Sequence, residues 1–377
     1  MKDKLAKIKN KIFKKEFILQ TFYISLLLVC FFFLYINNTT IQYWVNGFSQ
    51  MYETDLQVYF LDVGQGNSTL IIFPNNMAML VDTGTQNSQK QLVKSVEHIL
   101  HKNNIDEIEY LVLTHSDEDH VGGTQAVLEK FDVCNILRPK ILSYLESSYK
   151  GYGYVDTKIY AEIITAVYEE PNCTKSFVED DILKFGEVTV EIFSCNLDNY
   201  SDTNSYSPFI LIEYKQKSFL LTGDTTSKRE TEFLNDLENE NRNLDIDYLL
   251  VSHHGSKYST TAKFLNAIMP DYAFVSCEED YYPSVEVKQR LNDVGIKEIY
   301  TTREVSTIAV GIESDSTHLV LCFDSYLDLP FVFVCMSIVC FVFLKFPTPR
   351  KLRFREKNQI FLKKMAKKAG WFGIFFV

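Results

Sequence analysis

Four times in this chain a short apolar run stops at a polar cluster, and this repetition sets what the chain can fold into. Met77–Val81 (MAMLV) ends at Asp82-Thr83-Gly84, and Glu109–Leu113 (EYLVL) at Thr114–Gly123 (THSDEDHVGG). Ser218–Thr222 (SFLLT) ends at Gly223-Asp224, and Ile246–Val251 at Ser252-His253-His254-Gly255-Ser256. Apolar runs of this length read as buried strands, and loops at strand ends are where sites are built. If these strand ends converge, so do their histidines and carboxylates. Between His115 and His120, five potential metal-binding or proton-handling side chains fall within six residues. A solvated acidic loop would explain Asp117, Glu118 and Asp119 alone. It does not explain why four of only seven histidines sit in two such loops.

Imidazole nitrogen mixed with carboxylate oxygen suits zinc or manganese. His115, Asp117, Asp119 and His120 are too close in sequence to serve one tetrahedral ion comfortably, which points to two adjacent ions. Asp224 is suited to bridge them, since a carboxylate offers two oxygens. One of His253 and His254 then completes the second ion while the other orients a ligand or a substrate oxygen. Two metals about 3.5–4 Å apart promote in-line displacement, so hydrolysis is the expected chemistry.

The remaining pattern is mixed. Strands are expected at Leu56–Val63, Thr69–Phe73, Val133–Leu137, Glu187–Phe193, Phe209–Tyr214, 272–276, 297–301, 306–312 and 318–323, with helices at Asn87–Lys102, 159–169, Ser227–Glu238, 260–268 and 284–293. This order fits an α/β (α+β) chain with two sheets face to face and helices outside. Tyr144–Tyr154, with Gly151 and Gly153, reads as a tyrosine-rich loop. Gly64-Gln65-Gly66 lacks the register and following helix of a phosphate-cradling loop. The eight cysteines show no C-x-x-C spacing; Cys30, Cys335 and Cys340 lie in apolar stretches, and Cys134, Cys173, Cys195, Cys277 and Cys322 read as small buried hydrophobes.

The ends differ sharply from the middle. Residues 1–20 carry seven Lys against Asp3 and Glu16, and residues 345–377 carry ten Lys/Arg against Glu356. Subtracting +5 and +9 from the net charge of −11 leaves about −25 for residues 21–344. Phe17–Ile36 is 20 residues without a charge, the length of a membrane span, and is read as an uncleaved anchor in preference to a signal peptide. Leu329–Leu344 is 16 residues, short for a span; its neighbouring basic tail favours a second span, over residues 329–346, above a buried or re-entrant helix. Basic flanks mark the cytoplasmic side. The expected order is a cytoplasmic tail (1–16), an anchor (17–36), a linker (37–54), a domain outside the cell membrane (55–325), the second span and a cytoplasmic tail (347–377).

LDVGQGNSTLI, MLVDTG, LVLTHSDEDHVGG, SFLLTGD and LLVSHHGSKYSTTAKFL together resemble the metallo-β-lactamase fold, specifically its ComEC-like branch of competence proteins, over roughly residues 56–312. The resemblance implies an αββα sandwich, here flanked by transmembrane helices. It assigns His115, Asp117 and Asp224 to one ion, and Asp119, His120, Asp224 and a histidine of 253/254 to the other. Asp117 stands where the broader superfamily has a second His. Asp119, His254, Asn204 and Lys257 become the candidate catalytic residues. Two departures stand out: a superfamily His before the Asp224 strand is absent, and Tyr281-Tyr282-Pro283 replaces the branch's Gly-His-Pro.

The expected function is a membrane-anchored dimetal hydrolase, a phosphodiesterase acting on nucleic acid or on an anionic or choline-bearing envelope polymer. The acidic middle argues against long-duplex binding, which uses a basic footprint, and the tyrosine-rich loop is a candidate cage for a choline-type cation. The alternative is a non-catalytic binding or accessory subunit of a membrane complex in DNA uptake or the envelope, with a degraded metal site. Expected partners are the phosphodiester substrate, the cytoplasmic membrane and other membrane proteins.

Overall fold

The computed structural model describes residues 51–146, 152–195 and 200–323. The two expected spans, both basic tails and residues 37–50 of the linker lie outside the described residues, as does the tip of the tyrosine-rich loop. Among the described residues no helix is long and apolar enough to cross a membrane.

Two sheets carry the chain. The first runs β17 (His318–Phe323), β16 (Thr307–Ile312), β1 (Leu56–Phe60), β2 (Thr69–Ile72), β3 (Ala78–Val81), β4 (Glu107–Val112), β5 (Asp132–Arg138) and β8 (Thr174–Phe177). The second runs β15 (Glu298–Thr301), β14 (Tyr272–Val275), β13 (Tyr248–Leu250), β12 (Lys217–Leu221), β11 (Phe209–Tyr214), β10 (Val188–Phe193) and β9 (Asp181–Phe185). A two-stranded parallel ribbon joins β6 (Ile141–Ser143) to β7 (Gly153–Val155).

Period-two burial explains how the sheets meet. Val58 and Phe60, Ile71, Val81 and Val112 from the first sheet pack against Ile210 and Ile212, Phe219, Leu250 and Phe274 from the second. Phe60 and Phe274 stack with ring centroids 4.5 Å apart. On the far side of the first sheet, Leu92, Val96, Ile99 and Leu100 of helix Gln89–Lys102 and Ile163, Ile164 and Val167 of helix Lys158–Glu169 cover Leu80, Leu111 and Ile136. Helices Ser227–Asn239, Ala262–Ile268 and Val285–Asp293 cover the second sheet with Phe233, Phe264 and Leu291. The layers are helix, sheet, sheet, helix. Thr261 and Ser284 cap their helices by accepting the Phe264 and Val287 N–H groups.

Both sheets are parallel where the polar loops arise. β3, β4 and β5 run together, as do β12, β13, β14 and β15. Their carboxyl ends therefore carry Asp82, the 114–120 run, Asp224 and His253-His254, and open sheets of this kind place ligands beyond such ends.

Three local outcomes differ from expectation. Met51 and Thr54, placed in the linker, are buried in the domain, with Thr54 Oγ1 donating to Met51 O at 2.7 Å. β6 and β7 bracket what reads as one tyrosine-rich loop. β8 and β9 carry no strand signal in the sequence because they lie at sheet edges, where exposed positions erase the apolar alternation.

The histidine loop is tied to its covering helix by Glu230, which is buried and accepts the backbone N–H groups of Thr260 and of Thr261, the latter at 2.9 Å. We expect Glu230→Ala to leave two buried donors unpaired and cost about 1–3 kcal/mol or more, with Glu230→Gln costing less. Urea unfolding of the full-length chain measures this; a wild-type midpoint for Glu230→Ala would remove Glu230 from this role.

Candidate metal centre

His120 is fully buried in the short helical turn Glu118–Val121 that follows β4, and two carboxylates hold it from opposite sides. Its Nδ1 is 2.7 Å from Asp82 Oδ2, and its Nε2 is 3.0 Å from Asp224 Oδ1. Asp82 is itself fixed: its Oδ1 accepts Thr114 N and its Oδ2 accepts Thr114 Oγ1, both at 2.8 Å. An ionised carboxylate only accepts, so Asp82 holds the imidazole proton on Nδ1 and turns Nε2 toward the site.

His115 repeats the arrangement. Its Nδ1 lies 3.1 Å from Thr114 Oγ1 and 3.3 Å from Ser207 Oγ, while its Nε2 faces inward, 3.8 Å from Asp117 Oδ2. Nε2 of both His115 and His120 is buried and makes no hydrogen bond. For His120 the 3.0 Å approach to Asp224 is close enough but not aligned as a hydrogen bond, the geometry of two groups sharing a third partner.

From the second sheet, His254 donates Nδ1–H to Ser276 O at 2.7 Å and turns Nε2 toward Asp119 Oδ2 (3.2 Å) and Asp224 Oδ2 (3.5 Å). His253 Nε2 is 3.8 Å from Asp224 Oδ2, and its Nδ1 is 3.4 Å from Asn204 Nδ2. The side chain of His253 is 29% exposed and that of His254 3%. Asp117 is the most open member at 44%, its Oδ1 accepting from Thr203 Oγ1 at 2.7 Å.

The charges of the cluster are coupled. Burial opposes ionisation of Asp224, yet the imidazoles of His120, His254 and His115 hold it well below the usual carboxylate range. Burial likewise opposes a charged His120, but Asp224 and Asp82 outweigh it and raise that histidine well above its ordinary value. His115 is lowered by burial and by His120, which keeps it a neutral donor.

The structure thus gathers His115, Asp117, Asp119, His120, Asp224, His253 and His254. Donor atoms of His115, His120 and Asp224, and of Asp119, His120 and His254, each lie within 4.8 Å of one another. Buried imidazole nitrogens without hydrogen bonds, facing carboxylates across a shared space, fit divalent cations, which would also offset the charge buried here. Asn204 reaches the cluster through His253. Lys257 does not: its amine lies over the Tyr258 ring, 5.1 Å from the centroid, and no hydrogen bond or ion pair of the described residues joins it to the cluster.

Sequence reasoning did not find the supporting residues. Asp82 was seen only as a strand end, and here it orients a candidate ligand. The Gly64–Ser68 loop, set aside as a weak phosphate loop, is a brace: Asn67 Nδ2 donates to Asp224 Oδ1 at 3.4 Å, and Asn67 N donates to Asp119 O at 3.1 Å. Gly66 permits the approach, since a Cβ there would lie 2.3 Å from Asp119 O. The glycines on either side of Gln65 are the signal that could have found it.

This fold and this cluster define a class. The signature of the Metallo-beta-lactamase superfamily matches residues 61–278, and the chain belongs to that superfamily. Within it, the chain is similar to ComE operon protein 3 of Bacillus subtilis, 26% identical over 261 residues, covering 65% of this chain and 32% of that protein. It is also similar to Recombination protein 2 of Haemophilus influenzae, 31% identical over 251 residues, covering 65% of this chain and 27% of that one. The chain thus matches about a third or less of these relatives' length. Among solved structures it is similar to the metallo-beta-lactamase fold protein YhfI from Bacillus subtilis, 10% identical with a TM-score of 0.44, over 68% of this chain and 100% of that one.

Removing the Asp82 charge should loosen the His120 ring while leaving its neighbours in place. We expect Asp82→Asn to lower metal affinity about 10–100-fold in a chelator competition on the full-length chain. Wild-type affinity in that variant would show that the Asp82–His120 hydrogen bond does not tune the site.

Proposed function

We propose that the chain is a dimetal phosphodiesterase held at a membrane, with zinc or manganese as its ions. The observation that carries this reading is the pair of buried Nε2 atoms, on His115 and His120, that make no hydrogen bond, with His120 Nε2 3.0 Å from Asp224 Oδ1 and donor atoms of all three residues within 4.8 Å of one another. In this reading His115, Asp117 and Asp224 would hold one ion and Asp119, His120, Asp224 and His254 the other, with Asp224 as the shared ligand. When bound, such ions supply Lewis acidity, lowering the pKa of water and stabilising charge on the attacking and leaving oxygens.

The protein's own groups do the rest. Asp119, 31% exposed with its Oδ2 3.2 Å from His254 Nε2, accepts a proton from water at the open side of the site. Asn204, at the rim beside His253, orients a substrate oxygen. Lys257, three residues past His254 and exposed, draws an anionic substrate toward the mouth rather than taking part in chemistry. The similarity to a relative named for recombination favours a polynucleotide over an envelope polymer as substrate. Phe17–Ile36 and residues 329–346 supply the anchors, with the domain outside and both termini cytoplasmic.

The full-length chain, stripped of metal and reloaded with zinc or manganese, should hydrolyse bis-p-nitrophenyl phosphate and DNA, and chelation should abolish turnover. Asp119→Ala and His120→Ala should lose more than the roughly 10–100-fold that removal of an outer partner costs, without unfolding. Asp224→Asn should empty both ion positions together, because an amide lacks the bridging charge, and Asp117→Ala chiefly one. Two tightly bound ions in Asp224→Asn would end the bridging assignment; bound ions without turnover would favour an accessory binding subunit.

A further inference from the structure

The segment from Glu278 to Ser284 passes over one side of the metal centre, and its backbone is pinned there. Gln65 Oε1 accepts the N–H groups of Glu278 and Glu279 at 3.0 and 3.1 Å. Tyr282 N donates to Glu279 O at 3.1 Å, and Ser284 N donates to Gly255 O at 2.9 Å, one residue beyond His254. Gly255, at φ 82°, has room for no side chain: a Cβ there would lie 2.3 Å from Pro283 Cβ. Pro283 is therefore seated on the backbone of the histidine turn, and Tyr282 is set beside the histidine.

The Tyr282 ring lies 6.2 Å from that of His254 and 4.7 Å from that of Tyr281. It is half-buried. Among the described residues its hydroxyl makes no hydrogen bond. The candidate ligands are carboxylates and imidazoles turned inward, and a phosphoryl oxygen gathering charge there needs donors on more than one side. Asn204 stands on the His253 side of the centre, and the Lys257 amine lies over Tyr258.

We infer that Tyr282 is a catalytic residue, its O–H donating a hydrogen bond to an oxygen of a phosphoryl group held at the centre. This deepens the phosphodiesterase reading and rests on it for the identity of the group bound. The position is fixed by contacts on either side of it, so replacement by phenylalanine removes the hydroxyl and keeps the packing.

The test uses the full-length, metal-loaded chain with inorganic phosphate as a binding probe and bis-p-nitrophenyl phosphate as substrate. Tyr282→Phe should weaken phosphate binding roughly tenfold or more by calorimetry. It should also lower kcat roughly a hundredfold, with KM little changed and metal content equal to wild type. Tyr282→His, which restores an N–H donor, should lie between the two. Equal phosphate affinity in wild type and Tyr282→Phe would overturn the inference, as would a metal-loaded wild type that binds no phosphate. Weakened phosphate binding in a chain that turns over no phosphodiester would instead overturn the reading of the reaction and leave Tyr282 as the donor.

Discussion

His120 and Asp224 meet across the seam between the two sheets, and the architecture is arranged so that they can. One belongs to the loop after β4 and the other to the loop after β12, more than 100 residues later, and their side chains approach to 3.0 Å while both are buried. A buried carboxylate without compensation costs several kcal/mol, so this contact is tolerated only because partners surround it. Asp82 stands behind His120, Asn67 behind Asp224, and Ser276 O behind His254. The apolar layer between the sheets, with Phe60 stacked on Phe274, sets how the two loops face each other. Packing of hydrophobic faces thus fixes the register of a polar cluster that would not hold itself together.

Much of this is legible in the sequence. Central strands such as β3, β12 and β13 are buried on both faces, and their continuous apolar runs announce themselves. The helix at Gln89–Lys102 shows its buried stripe of Leu92, Val96, Ile99 and Leu100 directly. The candidate ligands were legible for a related reason: a histidine or a cluster of carboxylates at the end of a buried run is rare unless something uses it.

The illegible parts share a physical cause. β8 and β9 are edge strands with exposed positions, so no apolar period marks them. Asp82 and Asn67 look like ordinary loop residues, and their importance lies in what they touch. Asn67 lies 157 positions from Asp224, and no local pattern carries that information. Lys257 shows the converse, since closeness in sequence to His254 does not bring its amine to the cluster.

Adjacent residues His253 and His254 would normally point to opposite sides of an extended strand. Here both adopt left-handed backbone, at φ 52° and 54°, conformations that non-glycine residues hold only when their surroundings impose them. His253 N donates to Gly223 O at 3.0 Å, which ties the turn to the residue beside Asp224. Ser259 Oγ donates to Ser252 O at 3.0 Å, and Glu230 clamps the far end of the loop. The resulting turn presents both rings to Asp224, their planes at 79°. The two are nevertheless unequal: His254 is anchored through Nδ1 at 2.7 Å and buried, whereas His253 is partly exposed with only the Asn204 amide near its Nδ1. A rigid imidazole with its proton fixed on the far nitrogen is what a metal ligand requires, and a looser one at the rim suits contact with an incoming oxygen. The strained turn thereby gives two neighbouring histidines different work at one centre.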